Sequence, residues 1–125
     1  MLRAQAGFTL LEALVSIVIF SVGILGLVGL QARAMQYSVD ADDRNRAALL
    51  ANELVATMWS HKTPNLPAPT LGAWQARVGN AGQGGLPNGV GSVSVGSGGL
   101  VAVTITWTPP SRSDQSRYQT QVVMP

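Results

Sequence analysis

The stretch Gly7-Phe8-Thr9-Leu10-Leu11-Glu12, continued by apolar residues with scarcely a break to Leu30, decides how this chain is organised. Within residues 8–30 the only charged side chain is Glu12. Thr9, Ser16 and Ser21 are mildly polar and can bond back to a helix backbone. At ~1.5 Å per residue, a helix over residues 8–30 rises about 34 Å, against a hydrocarbon core of about 30 Å. The segment is therefore expected to span a membrane. Ahead of it, residues 1–7 form a short polar leader with one basic residue, Arg3.

Downstream the character changes while the helical period persists. Leu30, Ala34, Tyr37, Ala41, Ala48, Ala51, Val55 and Met58 mostly recur at three or four residues, and no proline occurs before Pro64. The periodicity predicts an unbroken helix over residues 8–61, about 80 Å long, whose second part (31–61) is amphipathic. Residues 62–69 hold Pro64, Pro67 and Pro69 and read as a helix stop and loop. Residues 71–78, with Trp74, predict one short helix, and the Gly-rich residues 80–91 a loop.

Three strand signals follow. Val93 and Val95 alternate; Val101, Val103, Ile105 and Trp107 face one way against Ala102, Thr104, Thr106 and Thr108; Tyr118, Thr120, Val122 and Met124 alternate with Gln119, Gln121 and Val123. Gly96-Ser97-Gly98-Gly99 is expected to turn the first hairpin and residues 109–116 to form the second loop. The fold class is α+β: a long N-terminal helix packed on a small C-terminal antiparallel meander. Residues 62–125 alone make a marginal core, so the amphipathic part of the helix is expected to cross the sheet, with Trp59, Trp74 and Trp107 as buried anchors.

Composition narrows the function. Charged residues are 11% and hydrophobic ones 46% of 125 residues, apolar for a small water-soluble protein. The net charge of +2, with no basic run, gives no footprint for nucleic acid. The chain has no cysteine, which excludes disulfides, thiolate zinc sites and cysteine nucleophiles. A single histidine, His61, leaves little for a metal centre or triad. Neither a cofactor, a metal site nor a catalytic residue is expected.

The hexad at 7–12 resembles the processing site of the type IV pilin family, which includes the pseudopilins of type II secretion. The family pattern is a short polar leader ending in Gly, then an aromatic residue or Met, then Thr-Leu, then Glu. Gly7, Phe8, Thr9, Leu10 and Glu12 match it position by position. The resemblance implies cleavage after Gly7 by a prepilin peptidase on the cytoplasmic side and methylation of the new Phe8 amine. It also implies assembly through Phe8, Thr9, Leu10 and Glu12, with other major and minor pilins and inner-membrane lipid as partners of the helix. By the same resemblance the leader lies in the cytoplasm and the C-terminal domain in the periplasm, and the subunit later joins a pilus at the cell surface. The positive residues alone, Arg3 on one side and Arg33, Arg44 and Arg46 on the other, do not set that orientation.

The chemistry of Glu12 agrees with such a role. A carboxylate in a membrane helix costs ~2.5 kcal/mol or more. A place in the first turns after Phe8 lowers that cost, because a helix N-terminus favours an anion. A freed Phe8 amine and a neighbour's Glu12 can neutralise each other away from water; snorkelling of Glu12 to the interface is the plain alternative. An ordinary secretory signal is a competing reading of the whole segment, with Ala32-Arg33-Ala34 as its cleavage site. It requires an apolar run longer than the usual ~7–15 residues and leaves Gly7–Glu12 unexplained. The two readings predict Phe8 and Met35 as first mature residues.

By size and order the chain looks most like a minor pilin of the PilV type, carried by residues 8–34, 46–54 and the strand at 101–108 with its Trp. A type II secretion pseudopilin and a membrane-tethered adhesin or binding module are the alternatives. The expected organisation is 1–7 leader, 8–30 membrane and assembly helix, 31–61 amphipathic continuation, 62–125 β-rich domain. Many pilins have a proline about three turns past Glu12. Here Gly23, Gly26 and Gly29 stand in that region, either as a weak point of the helix or as a small-residue stripe for close packing.

Among the remaining polar residues, Asp40–Arg44 and Asp42–Arg46 have i,i+4 spacing and are expected to pair, at a few tenths of a kcal/mol each. Asp40, Asp42 and Asp43 lack the spacing and central Gly of a calcium loop. His61 and Lys62 suit a helix C-terminus.

Overall fold

The computed structural model describes residues 2–125, with side chains from Thr9 onward. Its elements are α1 (Leu2–His61), α2 (Ala68–Val78), β1 (Val90–Val95), β2 (Leu100–Trp107) and β3 (Ser116–Val123). The chain divides into two units, Met1–Val39 and Asp40–Pro125.

The first unit is helix alone. Residues 9–39 are exposed throughout, although residues 9–30 are almost wholly apolar. The helix passes Gly23, Gly26 and Gly29 without a break, and a Cβ at any of them would meet nothing within 4 Å.

The second unit is the α+β body that the sequence predicts. β1, β2 and β3 form an antiparallel meander in the order β1-β2-β3. The inward face of β2, Val101, Val103, Ile105 and Trp107, is buried with Ala47, Leu50, Ala51, Leu54 and Met58 of α1. The helix thus supplies what the sheet lacks. Trp74 of α2 completes the core: its ring is buried and its Nε1–H donates to the Leu50 carbonyl at 2.9 Å. The ring lies so close to β1 that a Cβ on Gly91 would sit 2.5 Å from it, which is why a glycine stands mid-strand.

Four expectations are corrected. Trp59 is 48% exposed, while Trp74 and Trp107 are buried. On α1, Trp59 falls on the side of Leu49 and Ala56, away from Leu54 and Met58. The core face of α1 is the predicted one only in part: Ala51 and Met58 are buried on it and Val55 packs against it, but Ala47, Leu50 and Leu54 share it, and Ala34, Tyr37 and Ala41 are exposed. Pro69 lies inside the first turn of α2 rather than in a loop, a position where its missing N–H is not needed. Asp40 pairs with Arg112 of the β2–β3 loop at 3.0 Å, 72 residues away, and not with Arg44. Arg44 instead lies over the Trp107 ring, 5.9 Å from its centroid.

Helix α1 ends at His61, as the sequence predicts, but the stop precedes Pro64. Lys62 takes a left-handed conformation, φ 57°, so that the Lys62 and Thr63 amides donate to the Trp59 and Met58 carbonyls. This cap satisfies the last carbonyls of the helix. The His61 Nδ1–H donates to the Thr57 carbonyl at 3.0 Å.

Candidate functional site

The predicted site residues concentrate on the first turns of α1. The Gly7–Phe8 junction lies outside the residues whose side chains are described. Thr9, Leu10 and Glu12 are on α1 and exposed. Among the described residues Glu12 has no ion pair and no hydrogen-bond partner, and it is the only charge in residues 9–32. Around it Leu10, Leu14, Val15 and Ile19 are 48–70% exposed. An apolar surface that runs round the whole circumference of a helix has no core side, which is the pattern of a segment solvated by lipid or by other apolar helices. In such surroundings one acid is a directional group: it gains most from a cation delivered to the same depth.

Residues 2–28 match the family model described as the prokaryotic N-terminal methylation motif. No curated protein and no solved structure matches the chain. The match runs across the Gly7–Phe8 pair and most of the apolar run. It supports a type IV pilin-like or pseudopilin-like prepilin signal, which is a substrate signal for prepilin peptidase. The motif and one long apolar N-terminal helix fit a membrane-anchored subunit, and the family that carries the motif is structural rather than enzymatic.

The second unit offers less chemistry. Asp42 pairs with Arg46 at 2.9 Å, and Arg46 also donates to the Gly85 carbonyl at 3.2 Å. Glu53 pairs with Arg77 of α2, a contact that spacing in the sequence does not reveal. Asp43 is buried, 6% exposed, and that burial raises its carboxyl above the usual range; Arg46 and Arg112 oppose the shift, while Asp42 and Asp40 add to it. The Asp40–Arg112 pair ties α1 to the β2–β3 loop, and Arg46 ties it to the loop before β1 through Gly85. Among the described residues no cluster of three metal-type ligands occurs. A cavity of about 180 Å³ lies between Pro64, Asn65, Leu66 and Leu71 on one side and Val93 and Val95 on the other.

Proposed function

We propose that this chain is a minor type IV pilin. Prepilin peptidase cuts it after Gly7, and the freed Phe8 amine is methylated. The apolar helix holds the subunit in the inner membrane with its α+β unit on the periplasmic side. Glu12 then recruits it to a growing fibre by meeting the Phe8 amine of a neighbouring pilin, and the subunit primes or modifies that fibre. The observation that carries this reading is the methylation motif at residues 2–28 on an exposed apolar helix whose one charge is Glu12. Buried between apolar helices, opposite charges at Glu12 and the amine interact far more strongly than in water.

The same N-terminus suits a pseudopilin of a type II secretion filament, and the motif match favours both equally. Deleting the gene separates them: loss of pili with secretion intact supports the pilus, the reverse supports the secretion filament. Substituting Glu12→Ala tests the mechanism common to both. The variant is expected to reach the membrane at the wild-type level and to be lost from purified filaments. Its presence there at the normal ratio would refute the role of Glu12.

A further inference from the structure

The sheet has two edges, and the fold treats them differently. The Gly96 amide donates to the Leu100 carbonyl at 2.7 Å, which fixes the phase of the β1–β2 ladder. Ser94, Ser92 and Val90 therefore bond to β2, and the backbone groups of Gly91, Val93 and Val95 point to the β1 edge. That edge is interrupted. The Gly91 carbonyl accepts from Gln75 Nε2 at 3.0 Å, and the Trp74 ring lies against Gly91.

The β3 edge is bare. The Met124 amide donates to the Gly99 carbonyl at 2.8 Å, so Ser116, Tyr118, Thr120 and Val122 exchange bonds with β2. The N–H and C=O groups of Arg117, Gln119, Gln121 and Val123 point the other way. No strand, helix or loop among the described residues pairs with them, and all four residues are exposed. Natural sheets blunt such an edge with proline, lysine, a bulge or a short strand. β3 has none of these: it spans eight residues in unbroken register with β2. Its only charge is Arg117, whose guanidinium is engaged by a neutral group, Gln119 Oε1 at 3.0 Å.

We infer that β3 is a docking edge for an extended strand of a different protein, one that carries a carboxylate opposite Arg117. Unpaired outward amides and carbonyls select an extended backbone, and a lone guanidinium beside them selects an acid. A second copy is a poor occupant. A β3–β3 pair supplies no carboxylate to Arg117, because β3 holds no Asp or Glu. Pairing β3 with a second copy's β1 meets the obstruction at Gly91. The inference rests on the filament reading, in which the partner is another subunit of the same fibre.

The experiment uses the full chain in its own cells and compares its amount in filaments with its amount in the membrane. Gln121→Pro removes an outward N–H without breaking a bond to β2. It is expected to melt within a few degrees of wild type, to reach the membrane normally and to fall about tenfold or more in filaments, while Gln121→Ala, which keeps the backbone donor, stays at the wild-type ratio. If Gln121→Pro melts early, the double variant Gln119→Lys/Gln121→Lys, which puts charge on the edge and leaves the ladder intact, takes its place with the same expectation. Arg117→Glu is expected to lower incorporation more than Arg117→Gln. Normal incorporation of the edge variants overturns the inference. Disulfide-linked homodimers of Gln119→Cys in membranes, read cleanly because the chain has no native cysteine, overturn it by giving the edge to a second copy. Absence of the wild-type chain from every filament contradicts the pilin reading itself and removes the partner with it.

Discussion

One helix, α1, passes through two environments, and the apolar part is the part that buries nothing. Residues 9–30 carry one charge and leave Leu25 71%, Phe20 70% and Leu30 70% exposed. From Asp40 to His61 the helix carries Asp, Glu and Arg side chains, yet it sets Ala47, Leu50, Ala51, Leu54 and Met58 into a core with β2 and α2. In water the order would be reversed, since apolar area gains roughly 25 cal/mol per Å² on burial. The inversion fits a first unit solvated by lipid or by other apolar helices rather than by water. Composition names the environment of residues 9–30, and periodicity names that of residues 40–61.

The comparison is broken most directly by truncating the same residue type in both parts. Leu54→Ala is expected to cost the α+β unit about 2–5 kcal/mol, whereas Leu25→Ala leaves its unfolding unchanged. Thermal melts of the detergent-solubilised chain, read by near-ultraviolet circular dichroism of Trp74 and Trp107, measure both. An equal loss from the two substitutions would mean that residues 9–30 belong to the same core.

Gly91→Ala probes the wall between α2 and β1. The added methyl meets the Trp74 ring and should cost about 1–3 kcal/mol in the same melts. Gly26→Ala, in open space on the first unit, should leave them unchanged. Lys62→Gly acts in the other direction. A non-glycine residue at φ 57° is strained, so the substitution should stabilise the helix end by up to about 1 kcal/mol.

The smallest effect belongs to Asp43. Its carboxyl is raised in the folded state, so the stability that its protonated form contributes is full below the unfolded value of 3.8 and is lost as pH rises through the folded value. At neutral pH the buried carboxylate is a net cost, and Asp43→Asn should raise the melting temperature slightly. That advantage should shrink as pH is lowered toward the unfolded value. An advantage that grows on acidification would reverse the sign assigned to Asp43.

Much of this architecture is legible in the sequence, for reasons that differ by element. The meander reads well because Val101, Val103, Ile105 and Trp107 alternate strictly and Gly96–Gly99 mark a turn. The N-terminal motif at residues 2–28 is legible because a lone acid, Glu12, stands out in an apolar run and the residues before it follow a fixed order. The core face of α1 is harder to see, because alanines on several sides of the helix leave the 3.6 period weakly marked, and Trp59 is drawn wrongly onto it. Long-range pairs escape altogether. Nothing in the spacing of Asp40 and Arg112, or of Glu53 and Arg77, signals that folding brings them together. The bare edge of β3 is likewise a property of strand order, not of the strand.

The most direct test is the N-terminus of the mature protein, read by mass spectrometry on chain purified from membranes or filaments. The account predicts that it begins at Phe8 and carries one methyl group on its amine. A first residue at Met35, or an uncut Met1, would contradict it.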